Sequence, residues 1–169
     1  MAISDALEAE LAADIVARRS RINESFSRFY APLAVVAFAL TFLPYYRPKP
    51  DSSIRYGGLW QEVARTGHSN DVAAVMIFLA LITLLAFAAL QKLPGPGLCV
   101  AAALSLIIGI MLWSSPGFRD PPELTDVGIL DIAFCLTAAG IMLTHVVLLA
   151  INRLRAGIAS VLPSSRNNV

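Results

Sequence analysis

Asp131 and His145 are the only ionisable residues set clearly inside the long apolar runs of this 169-residue chain. Titratable groups in such runs are costly to bury, and by default they mark proton relays, ion paths or contacts with a partner. The two residues stand 14 positions apart, nearly four helical turns, so they share a helix face but lie roughly 20 Å apart along it. No ionisable residue bridges them, and Thr137 and Thr144 are the nearby hydroxyls. Asp131 falls four residues into its run, where a carboxylate can cap a helix start and favour the positive end of the helix dipole. A lone histidine is a poor metal site. The bland reading of His145 is a packing residue with its ring nitrogens satisfied.

Other chemistry is thin. No Ser-His-Asp set, Gly-rich phosphate loop, CxxC pair or His-rich haem arrangement occurs, so neither a catalytic residue, a cofactor nor a metal is expected. Cys99 and Cys135, the only cysteines, fall at different depths in successive runs. Antiparallel crossing separates them by roughly 15 Å, far beyond disulfide reach. They read as small apolar packing residues.

The elements that must position these residues are four apolar runs, at about 30–46, 71–91, 98–113 and 128–152. A bilayer-spanning helix needs about 20 apolar residues, with about 17 as the lower limit. Apolar residues make up 57% of the chain and charged residues 15%, with mean hydropathy +0.68. Soluble domains carry about 25% charged residues, and this deficit belongs to a membrane protein. The predicted fold is an all-α integral membrane protein, a four-transmembrane-helix bundle with an N-terminal amphipathic helix.

Residues 1–29 lack a signal peptide's pattern and read as that amphipathic helix. Asp5 and Glu8 have the spacing of a capping box, and Ile3, Leu7, Leu11 and Ile15 form a narrow stripe. Asp14–Arg18 and Glu24–Arg28 are spaced as i,i+4 pairs. The polar stretch 18–27 is expected to bend the chain into the first span. Pro32 and Pro44 edge that span, and Arg47-Pro48-Lys49-Pro50 ends it. In the long connection 47–70, Leu59–Arg65 can form a short interfacial helix, and Ser69-Asn70-Asp71 can cap the second span. Residues 92–97 turn spans two and three into a hairpin, residues 119–126 form an acidic loop, and 153–169 form a short polar tail.

Small residues supply the packing signal. Ala101, Ser105 and Gly109 recur at i, i+4 and i+8, and Ala133, Thr137, Gly140 and Thr144 lie together on the last run. Such series let backbones approach closely in lipid. The two faces either pack on each other or dock another protein. Tyr45, Tyr46, Trp60 and Trp113 are candidate anchors at the headgroup level. The termini and hairpin carry eight Lys/Arg against five in the opposite loops, which places both termini in the cytoplasm.

Net charge is +1, and no basic cluster points to nucleic acid. The expected partners are membrane lipid and other integral membrane subunits. The expected function is a non-catalytic accessory subunit that stabilises, positions or helps assemble a larger membrane complex of respiratory or transport type. The alternative is a small four-helix transporter or channel acting as an oligomer, and an enzyme ranks third. Ala and Leu richness, with Arg over Lys, fits a GC-rich bacterial genome and an inner-membrane location.

Overall fold

The computed structural model describes residues 2–48, 57–66, 69–114 and 122–161. The expected loop at 49–56, His68, the Arg119–Asp120 part of the acidic loop and the tail beyond Pro163 lie outside those residues. So do the side chains of the proposed caps at Asp5–Glu8 and Ser69–Asp71, and those of Ile3 and Leu7.

The chain is predominantly helical. Three of its helices, α3 (Ser69–Ala89), α4 (Gly95–Ser114) and α5 (Asp126–Val161), are long and apolar enough to cross a membrane. The first helix, α1 (Ala2–Leu40), is not among them. Its apolar part starts near Phe29, after Glu24 and Arg28, and the helix stops at Leu40. Thr41, Phe42 and Leu43 then bond back to the carbonyls three residues earlier, the tight geometry of a helix end, ahead of Pro44. The expected first span at 30–46 thus ends in non-helical chain.

Two further expectations fail in α1. Residues 18–27 do not break the helix, which runs on through them and through Pro32. Asp14 pairs with Arg21 at 3.9 Å instead of Arg18, while Glu24–Arg28 forms as spaced, at 2.9 Å. Both pairs are solvent-facing, where such contacts contribute little.

Helices α1, α3, α4 and α5 close a ring, each packing on the next and α5 returning to α1, with α4 against α5 the most extensive contact. Buried positions follow a repeat of alternating threes and fours. On α5 they include Asp131, Cys135, Ala138, Met142, His145 and Asn152; on α4 they include Leu98, Ala101, Ser105, Ile108 and Leu112. This is the repeat by which one helix presents a continuous seam to another. On α3, Leu81 and Leu85 are core, with Ile77 and Leu84 packed against it.

Local chemistry ends each helix. At the end of α3, Gln91 takes a left-handed backbone with φ 57°, while Lys92 N–H bonds Phe87 O and Gln91 N–H bonds Ala88 O. That is a Schellman closure, here without the usual glycine. A short helix α2 (Leu59–Thr66) forms as expected and lies on α3. Its start depends on Gly58, where a Cβ would meet Phe42 O at 2.5 Å. That close approach lets Leu59 N–H reach Thr41 O and Trp60 Nε1–H reach Thr41 Oγ1 at 2.8 Å.

The ends of α1 and α5 are joined by a two-residue antiparallel clip that the all-α reading did not include. β1 (Tyr46–Arg47) pairs with β2 (Glu123–Leu124), placing Arg47 across from Glu123. Thr125 caps α5, its Oγ1 accepting Gly128 N–H at 3.1 Å, and its own N–H bonds Tyr45 O. A Cβ on Gly128 would lie 2.6 Å from that same Tyr45 oxygen, which is backbone and cannot swing away. At Gly140, by contrast, an added Cβ would meet nothing within 4 Å. Gly128→Ala should therefore destabilise the detergent-solubilised protein by about 1–3 kcal/mol. Gly140→Ala should leave it unchanged or raise stability by up to about 1 kcal/mol. Denaturant unfolding followed by tryptophan fluorescence measures both.

Candidate functional site

His145 sits in a polar cluster built across the α1–α5 contact. The Tyr30 hydroxyl lies 2.8 Å from its Nδ1, and Asn23 Oδ1 lies 3.1 Å from its Nε2. A carbonyl oxygen only accepts, so Nε2 carries the proton and donates to Asn23, while Nδ1 accepts from Tyr30 O–H. The Phe26 ring stacks on the imidazole at 4.5 Å and 7° between planes. Asn23, Phe26 and Tyr30 occupy positions i, i+3 and i+7 of α1, one face of one helix. Both ring nitrogens are engaged, the ring is almost fully buried, and no group of three or more His, Cys, Asp or Glu capable of holding a metal occurs among the described residues. This geometry makes His145 a pin between the first and last helices.

Two more contacts extend the same seam. Gln91 Nε2–H donates to Ser27 Oγ at 3.4 Å, which sets the α3–α4 turn level with the His145 layer. Asn152 Nδ2–H reaches Ile15 O at 3.3 Å, about two turns further along each helix from the His145–Asn23 bond. Beyond the turn, α1 and α5 therefore continue side by side as a two-helix arm.

Asp131 is four turns away and is not a cap. Helix α5 begins at Asp126 under Thr125, so Asp131 lies past the first turn, and it is wholly buried. Its Oδ1 is 3.8 Å from Cys135 Sγ, and its Oδ2 has no hydrogen-bond partner. Ser105 O–H is committed to the Cys135 carbonyl at 2.9 Å. The ion pairs among the described residues are both on α1. An ionised carboxylate buried without a counter-charge costs several kcal/mol. Asp131 and His145 share the buried face of α5, as their spacing requires, with Cys135, Ala138 and Met142 between them.

The two small-residue faces part company. Ala101, Ser105 and Gly109 line the α4–α5 contact, with the Gly109 Cα hydrogen facing Cys135: a Cβ there would sit 3.4 Å from the Cys135 Cβ. Ala133, Thr137, Gly140 and Thr144 face outward, and the two threonine hydroxyls bond back to Ala133 O and Gly140 O on their own helix. Of the aromatic candidates, Tyr45 belongs to the core, stacked on Phe78 with its O–H donating to Leu40 O. Tyr46 O–H donates to Leu112 O, Trp60 is half-buried on Phe42, and Trp113 is exposed. Both cysteines are free, Cys99 exposed and Cys135 buried.

Sequence reasoning missed Asn23, Phe26 and Tyr30. Their signal was present as a three-four spacing continuous with Ala37 and Thr41, but it crossed the boundary drawn between a polar N-terminal helix and the first span. Comparison with protein-family models, curated proteins and solved structures finds no match in any of the three.

His145→Ala removes both hydrogen bonds and the stack, and leaves Tyr30 O–H and Asn23 unpaired. It should destabilise the protein by about 2–4 kcal/mol. Against Tyr30→Phe, a double-mutant cycle should return a coupling of about 0.6–1.7 kcal/mol, the range for hydrogen bonds between membrane helices. A coupling of zero would mean that His145 does not pin the two helices.

Proposed function

We propose that the chain is a non-catalytic accessory subunit, one that stabilises, positions or helps assemble a larger membrane complex of respiratory or transport type. The carrying observation is the α1–α5 arm beyond the α3–α4 turn. Helix α5 has 32 apolar-rich residues, Asp126–Gly157, about 48 Å at helical rise, against 18 in the apolar segment of α3. Past His145 it exposes Val147, Leu148, Ile151 and Leu154, and the neighbouring half of α1 exposes Leu11 and Val16. Large apolar side chains displayed on a projecting helix pair suit a protein partner. The outward face of Ala133, Thr137, Gly140 and Thr144 offers a second close-approach surface for another membrane helix.

In this reading α1 is the fourth crossing. Its outward residues Phe29, Val35, Val36, Phe38, Phe42 and Leu43 meet lipid, and its inward ones close the ring. Its polar first half starts from the cytoplasm, where the Lys/Arg distribution puts both termini. The host membrane is a bacterial inner membrane. A second reading, an oligomeric transporter, draws on the unpartnered Asp131 oxygen.

Purification from native membranes in mild detergent separates the two. Stoichiometric recovery with larger subunits supports the accessory role, whereas a clean homo-oligomer supports the transporter. The pair Val16→Glu and Leu154→Glu, both on exposed positions, should change stability by no more than about 0.5 kcal/mol while abolishing co-purification. Retained co-purification removes the arm as the docking element.

A further inference from the structure

Asp131 is buried with one carboxyl oxygen unpartnered, a placement that native proteins seldom leave without a use. Each element around it can be asked for a compensating charge. On its own helix, Cys135 offers only a weak S–H donor to Oδ1. From α4, Ser105 gives its hydroxyl to the Cys135 backbone. From the segment after α1, the buried Tyr45 has its O–H spent on Leu40 O. From α3, Phe78 is apolar and stacked on Tyr45. Cys135 and Tyr45 become negative when they ionise, so neither can balance a carboxylate. The positive end of α5 is taken up by its first turn at Thr125 and Asp126, beyond which the dipole's influence falls away.

From this geometry we infer that Asp131 is a proton-binding site, holding one exchangeable proton per chain as the counter-charge that no side chain supplies. The site lies just inside the end of the ring closed by the β1–β2 clip, five residues from the start of α5. Proton entry and release therefore run from that end, past Tyr45, and not along α5 towards His145, since Cys135, Ala138, Ala139 and Met142 stand between them on the buried face. The inference does not depend on the accessory role, because a docked subunit and a free oligomer would hold this proton equally.

Infrared spectroscopy of the full-length protein in lipid, at neutral pH, tests it. The chain has 12 Asp and Glu, and of those whose side chains are described only Asp131 is buried. Wild type should show the C=O stretch of one protonated carboxylic acid, shifting down in D2O. Asp131→Asn should lack that band, and Cys135→Ala should keep it at a higher frequency once the S–H donor is gone. Carboxylate bands in place of the acid band in the wild-type minus Asp131→Asn difference would overturn the inference. So would an acid band that never shifts in D2O, which would mark a sealed structural group. Should Asp131→Asn fail to fold, the displacement of the band in Asp131→Glu assigns it instead.

Discussion

Hydrocarbon gives apolar helices no reason to prefer one another over lipid, so this ring must be held by something other than hydrophobic burial. Two devices do it. Between α4 and α5, small side chains bring backbones close enough for Ser105 to bond a carbonyl of the neighbouring helix. Between α1 and α5, aromatic and amide groups replace small ones, and the His145 cluster supplies directional contacts. Everything else follows from that pairing: the level of the α3–α4 turn, the clip at the far end and the arm beyond.

The two ends of the ring are built differently. At the clip end, backbone does the work, with Tyr45 O, Phe42 O and Thr125 forming contacts that tolerate glycine at Gly58 and Gly128. At the other end, side chains do it, through Ser27, Gln91, Asn23 and His145. The first arrangement is rigid because backbone oxygens cannot rotate away. The second is specific because each partner has a fixed donor or acceptor role.

Much of this was legible in the sequence, and the gaps have physical causes. Hydropathy located α3, α4 and α5, because a span imposes a length and a composition that few other structures share. The α2 helix was legible in Leu59–Arg65. The Ala101–Ser105–Gly109 series was read as a packing face, and spacing alone left open which small-residue face turned inward. Helix α1 resisted, because its continuity depends on a partner 115 residues away. Asn23 read as polar linker when it is a core contact, and Asp131 read as a cap because the run's edge at Gly128 concealed the true start under Thr125.

The Tyr30–His145 bond spans 115 residues, and the clip and the Asn152–Ile15 contact likewise join the chain's beginning to its end. The first helix thus leaves the ribosome long before its partner exists. Until α5 is made, Tyr30 and Asn23 have polar groups with no native match, while the α3–α4 hairpin can already close on local contacts. Non-local pairings of this kind complete last and slowly. A nascent or truncated chain therefore differs from the finished one in a chemically visible way, by unpaired polar groups on α1. That difference gives the membrane's insertion and quality-control machinery a basis for telling the two apart.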